Sequence, residues 1–259
     1  MILDPDYARA YRRLYERHWW WRARERFLLD VLERRRPSNG WGTILDVGCG
    51  DGLFFDELLQ LGEVEGVEPD ERLVGDRHRH RIYLQPFDDR FSPGKLYSLI
   101  LMLDVLEHLP EPGAALARAR ELLEPGGTIL ITVPAFNSAW THHDEINRHY
   151  TRYTRRSFRR LADRAGLRIQ QQRYFFHWIY PAKLLRRAAE AALPLRPGAP
   201  RLPRGWLNSF LYGLCRAEAF TLGRLPLPFG SSLLVVGTAG LLEAQAGGAL
   251  LSTDEDRCS

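Results

Sequence analysis

The run TILDVGCGDG, Thr43 to Gly52, constrains this chain more than any other stretch. Thr43 to Asp46 is short, mostly apolar and opens on two β-branched residues, which reads as a buried strand. Gly48, Gly50 and Gly52 follow at alternate positions, and glycine at that density marks a backbone that turns tightly or lets another group come close. A second apolar segment, VEGVEPD, ends on Glu68 and Pro69, where a carboxylate closing the neighbouring strand can accept hydrogen bonds from ribose hydroxyls. A dinucleotide turn has the spacing G-x-G-x-x-G and aims a helix N-terminus at a pyrophosphate. Here the order is Asp46-x-Gly48-x-Gly50-x-Gly52, with Cys49 inside the turn and no basic residue. Asp46 would repel a pyrophosphate and attract an ammonium group.

Further on, Tyr97 to Asp104 (YSLILMLD) is a nearly continuous apolar run, as expected for a strand in the middle of a parallel sheet covered on both faces. Its carboxyl end carries Leu103 and Asp104, at the sheet edge where open α/β folds place ligands. A helix over Ala114 to Leu123 is closed by Pro125 to Gly127, and Thr128 to Val133 returns as a strand. Ahead of the glycine turn, residues 5–36 have helical composition up to Pro37. Behind it, a helix is expected over Gly52 to Leu61.

The turn, LMLDVLEHLPEP and LLEPGGTILITVPA resemble, in that order, motif I and the following segments of the class I S-adenosylmethionine-dependent methyltransferases, over residues 41–180. The resemblance implies an α/β fold: a Rossmann-like seven-stranded mixed sheet with helices on both faces and an antiparallel last strand. It also implies S-adenosyl-L-methionine as cofactor and S-adenosyl-L-homocysteine as product. Asp46, Gly48, Cys49, Gly50, Glu68 and Pro69 would surround the methionine and ribose parts, with Leu103, Asp104 and His108 bordering the sulfonium region. Asp88, in QPFDD, is the nearest match to an acid that meets the adenine amino group, with ordinary turn chemistry as the other reading. The cluster Trp19 to Trp21 with Arg24 is similar to a WW-x-x-R segment ahead of such domains. Trp21 and Arg24 are therefore candidate cofactor contacts, and aromatic packing of a leading helix is the plainer alternative.

Residues 135–154, AFNSAWTHHDEINRHYTRYT, are too polar and too long for a minimal connection and read as a loop over the pocket. They resemble a D-x-x-x-x-H-x-R-R-Y segment of quinone-type small-molecule methyltransferases. His149 and Tyr153 match it, while Tyr150 and Thr151 depart from its usual basic residues. Methyl transfer to a hydroxyl needs alignment and removal of a proton. His149 is the candidate general base, Asp144 orients it or the substrate, and His143 is the substitute candidate. The alternative is a loop that closes on the sheet through salt bridges. His78 and His80 read as solvated, and no metal site is expected.

The pairing of Leu167 to Phe176 with Ser232 to Thr238, which the resemblance implies, leaves an insertion between them. Domain boundaries are accordingly expected as follows: 1–40 a helical lid, 41–178 and 229–240 the cofactor domain, 179–228 a helical insertion, and 241–259 a mobile tail. The insertion offers two amphipathic helices with basic residues beside apolar ones. They suit a substrate cap, an interfacial surface for a lipid-linked substrate at the membrane periphery, or a dimer contact.

The net charge of +4 is carried mostly by arginine, giving a solvated basic face or a seat for an anionic partner, and no nucleic-acid-binding module accompanies it. Cys49, Cys215 and Cys258 form no even framework and fit reduced thiols in a cytoplasmic protein. Neither a signal peptide nor a membrane span is expected. Two rival functions remain at this level: an NAD-dependent oxidoreductase, and a non-catalytic cofactor-binding or membrane-docking module.

Overall fold

In the computed structural model, residues 12–193, 201–221 and 225–239 are described. The beginning of the expected lid and the whole expected tail, 241–259, lie outside them. Seven strands form one sheet: β1 (Thr43–Val47), β2 (Glu63–Val67), β3 (Ile82–Tyr83), β4 (Tyr97–Leu103), β5 (Leu123–Pro134), β6 (Leu167–Phe175) and β7 (Ser232–Ala239). Their order is β3-β2-β1-β4-β5-β7-β6. β1 to β5 pair in parallel, and β7 runs antiparallel to both β5 and β6.

The continuous apolar character of β4 follows from its two covered faces. Tyr97, Ile100 and Met102 join a core with Leu116 and Ala119 of α3 (Pro112–Glu121) and Phe158 of α5 (Arg155–Arg164). Leu99 and Leu101 face the other way, toward Phe27, Leu28 and Leu32 of α1 (Trp19–Arg35) and Phe55 and Leu58 of α2 (Phe55–Leu58). All five strand residues are fully buried, each adding about 1.5–3 kcal/mol relative to an exposed position.

Several expectations are corrected. The leading helix is not continuous: His18 leaves helical geometry and its side chain accepts from the Trp20 N–H, so that α1 starts afresh at Trp19. The helix after the glycine turn is only α2, because residues 51–54 are taken up in further turns. Pro125 to Gly127 lie inside β5 rather than ending α3, which stops at Glu121 with Leu122 as its cap. His78 is buried, not solvated, with Nε2 3.2 Å from Asp56 and its ring against Phe55.

The insertion is tied to both ends of the molecule. In α7 (Gly205–Phe220), Asn208 accepts from the Trp19 N–H at 2.9 Å and Arg216 pairs with Asp30 at 2.8 Å. Buried Glu218 accepts from the His177 and Trp178 N–H groups at 2.8 and 3.2 Å. Those two residues precede α6 (Ile179–Ala192), which crosses to the loop after β5. There Arg187 donates to the Asn137 carbonyl at 2.6 Å, and Glu190 accepts from the His142 N–H at 3.0 Å. The insertion therefore spans from α1 to the loop after β5, over the carboxyl edge of the sheet. Among the described residues, no helix is long and apolar enough to cross a membrane.

Candidate functional site

Two clusters meet at the carboxyl edge of the sheet, and the exit of β4 joins them. The first surrounds the glycine turn. Gly48, Gly50 and Gly52 all have positive φ, a conformation only glycine adopts without strain. A Cβ on Gly48 would stand 2.8 Å from Val105 Cγ2, whereas one on Gly50 would meet nothing within 4 Å. The bend is thus packed on its β4 side and open above Gly50. Asp46 closes β1 in a buried position. Burial pushes its carboxyl up to about 7, with Arg24 opposing the shift and Glu68 adding to it.

Glu68 follows β2 and is also buried. One oxygen accepts from the Gly50 N–H at 3.1 Å, the other from the Asp70 N–H at 3.0 Å. Each keeps a second lone pair for a ribose hydroxyl. Burial raises the carboxyl's pKa. Cys49 is half-buried, and burial, then Asp46 and Glu68, push its thiol far above its ordinary value. It is a packing thiol, not a nucleophile. Pro69 is exposed. Asp88 caps its own turn, accepting from the Arg90 N–H at 2.9 Å.

Arg24, one turn beyond Trp20 and Trp21 on α1, reaches Asp104 at 2.8 Å and donates to Thr132 Oγ1 at 3.1 Å. Thr132 in turn donates to Asp104 at 3.0 Å. Trp21 is buried, edge-on to Trp20 and His18, and Leu103 flanks the core on the α1 side. Asp104 holds φ +59, a left-handed conformation that costs a non-glycine residue about 1–3 kcal/mol and persists where surrounding contacts impose it.

The second cluster lies in the loop after β5. Asp144 is fully buried in α4 (His142–Ile146), where it closes a capping box with Thr141. Arg152 donates to both of its oxygens at 2.8 Å and to the Ala135 carbonyl at 3.1 Å. His149 Nδ1 lies 2.8 Å from Asp144 Oδ1. Burial works against the Asp144 charge, yet the hydrogen bonds from His149 and Arg152 hold the carboxyl well below the usual range. A carboxylate only accepts, so His149 Nδ1 is the donor in this bond, and the neutral form of that tautomer has its lone pair on Nε2. His143 stands exposed on α4, bonded to Asn147, its ring centre 6.4 Å from that of His149.

The β4 exit touches both clusters. Val105 packs on Gly48, while the His108 ring lies edge-on to His149 with centres 4.7 Å apart. Burial, then His149, lower His108 to about 4, so its imidazole is neutral. Between them Glu107 is 1 % exposed, its carbonyl accepting from the Tyr150 N–H at 2.7 Å. Burial, then Asp104, raise the Glu107 carboxyl well above its ordinary value. Glu107 Oε2 and His108 Nδ1 are buried without a partner, and the residues Glu107, His108 and His149 each offer one ligand atom, all within 4.8 Å of one another.

The sequence reading gives no role to Arg152 or to Lys183, which lies in α6. The spacing of Arg152 from Asp144 was a usable signal, since both belong to the motif segment; Lys183 of α6 carried none. A groove of about 450 Å³ lined by Arg155, Arg159, Asp163 and Arg168 runs along β6, level with Thr128 to Ile131 of β5. None of its lining residues belongs to either cluster.

Comparison with known proteins agrees with this geometry. Residues 20–172 match the profile of a family described as "Methyltransferase domain". The Ubiquinone biosynthesis O-methyltransferase of Nitrosococcus oceani is 30 % identical over 148 residues, 50 % of this chain and 62 % of that protein. Its counterpart from Pseudomonas paraeruginosa is 27 % identical over 134 residues, 44 % and 57 % respectively. The matches thus cover less than two thirds of these curated relatives. A TehB-like SAM-dependent methyltransferase from Corynebacterium glutamicum shares the fold with a TM-score of 0.53 at 18 % identity, over 91 % of this chain and 97 % of that one.

Proposed function

We propose, from the premise that this chain belongs to the methyltransferase-domain family, that it moves a methyl group from S-adenosyl-L-methionine to the oxygen of a small or lipid-linked acceptor. The single observation that carries this reading is the β4 exit, where Val105 touches the glycine turn and, three residues on, His108 touches His149. A donor seated on the turn and a base on the loop are then neighbours, as in-line displacement needs. Asp46 and Glu68 would take the ammonium and ribose ends of the cofactor, with Gly50 giving its backbone room. His149 Nε2 would accept the acceptor proton as the oxygen attacks the methyl carbon and the sulfur leaves as a thioether. Asp144, held by Arg152, would fix the ring and stabilise its cationic form.

A screen of hydroxylated acceptors with a labelled methyl donor tests the reading. With a turned-over acceptor, His149→Ala should lower kcat about 10²–10⁴-fold at unchanged affinity for S-adenosylhomocysteine. Full activity in that variant would remove His149 from the chemistry.

The unpartnered Glu107 and His108 atoms beside His149 favour a second reading, in which a divalent cation occupies that set. The residues fit: a neutral imidazole offers a lone pair, and a cation would draw the proton from Glu107. Such an ion would polarise the acceptor hydroxyl. Loss of activity on chelation, restored by added cation, distinguishes this reading from the first.

For a lipid-linked acceptor, the support lies on α7, where Trp206, Phe210 and Leu214 are 70 %, 61 % and 37 % exposed at successive helical turns. An apolar stripe of this kind suits contact with a membrane periphery. Cosedimentation with anionic vesicles, lost in Trp206→Glu, checks it.

A further inference from the structure

The face of α6 that meets the acceptor loop is defined by its contacts. Tyr180 shares a hydrogen bond with Ser138 at 3.0 Å, Arg187 donates to the Asn137 carbonyl, and Glu190 accepts from the His142 N–H. These positions fall on one helical stripe. Lys183 lies on the same stripe, between Tyr180 and Arg187, and differs from the other three. It makes no hydrogen bond and no ion pair with another described residue.

The charges that act on its ammonium are those of the candidate site: Arg152 and Asp144 from the loop after β5, and Asp104 and Glu107 from the β4 exit. His143 of α4 also feels it. Arg152 is committed to both Asp144 oxygens, and Arg24 to Asp104. Among the described residues, Lys183 thus brings a cation to this site with no carboxylate hydrogen-bonded to it. Lys183 is half-buried, so its side chain lies along the face of α6 that carries these contacts while its ammonium stays open to an incoming anion. Burial, then Arg152, lower it to about 8, which leaves it mostly protonated at neutral pH.

We propose that the Lys183 ammonium binds the oxygen of an ionising ring hydroxyl on the acceptor, a phenol or enol, and holds it as an oxyanion for methylation. The proposal rests on the methyltransferase reading above and sets the substrate class within it. An alkyl alcohol does not ionise near neutral pH, whereas a phenol with a pKa of about 10 does so once a cation is beside it. Protons and charge balance: His149 takes the hydroxyl proton, the oxyanion takes the methyl group, the sulfonium becomes a neutral thioether, and Lys183 keeps its proton throughout.

The test uses the full chain saturated with S-adenosylhomocysteine and 4-nitrophenol, whose phenolate absorbs visible light. Bound dye should ionise about one pH unit or more below free dye, a tenfold change in its ionisation constant. Lys183→Met and Lys183→Gln should lose most of that shift and Lys183→Arg should keep it. All three should retain the wild-type thermal stabilisation by S-adenosylhomocysteine. An unshifted dye in the wild type, or the full wild-type shift retained in Lys183→Met and Lys183→Gln, overturns the proposal. A wild type that S-adenosylhomocysteine does not stabilise overturns the underlying reading, and the proposal with it.

Discussion

The two clusters at the sheet edge are built in opposite ways. Around the glycine turn, the acids Asp46 and Glu68 are buried against backbone, and burial pushes both toward the neutral form. In the acceptor loop, Asp144 is just as buried but accepts from Arg152, His149 and Thr141, and it stays ionised. The difference is one of completeness. Asp144 has its hydrogen-bond partners within the chain, so the loop is a finished scaffold, while Asp46 has only the charge of Arg24 set against its burial.

The largest effect should come from unfinishing the scaffold. Arg152→Ala strands a buried carboxylate, and such losses cost about 3–5 kcal/mol. Chemical denaturation should register that drop and, with it, loss of methyl transfer. A wild-type midpoint would mean that the pair is dispensable to the fold.

Next is the pH dependence of the two acids. The folded pKa of Asp46 is raised, so the folded state binds the extra proton and stability falls as pH climbs from about 4 to about 7. That decline is on the order of 3–4 kcal/mol, and Asp46→Asn should remove it. Asp144 has a lowered folded pKa. Its contribution is complete above the unfolded value of about 3.9 and is lost below it. A parallel pH profile for wild type and Asp46→Asn would break the contrast.

A smaller effect is expected at Gly48, where alanine must adopt φ +70 with its methyl against Val105. Strain of about 1–3 kcal/mol should appear in stability and as weaker cofactor binding. Gly50→Ala has the same positive φ but open space around it, so it should weaken binding without the clash. Equal losses of stability at both positions would show that the Val105 contact is immaterial.

What could be read from the sequence divides along the same line. The glycine turn was legible because its chemistry is contiguous: strand, acid, glycines and a second strand ending on Glu68 within one short stretch. The pairing of His149 with Asp144 was legible from a local motif. Arg24 reaches Asp104 across most of a hundred residues, and the spacing that suggested it could not name Asp104 as its partner. Lys183 and the Glu107–His108–His149 set arise only when α6, the β4 exit and the acceptor loop converge. The break at His18 went unseen because a histidine cap carries no strong sequence signal, whereas Thr154 before α5 does.

Differential thermal stability with S-adenosylhomocysteine and NAD, on wild type and Asp46→Asn, tests most directly whether the open acid and glycine bend seat a sulfonium nucleoside. S-adenosylhomocysteine at a hundred times its Kd should stabilise the wild type by about 2.7 kcal/mol, NAD should leave it unchanged, and Asp46→Asn should lose the gain at the same ligand concentration. Stabilisation by NAD alone, or a full gain in Asp46→Asn, would contradict the account.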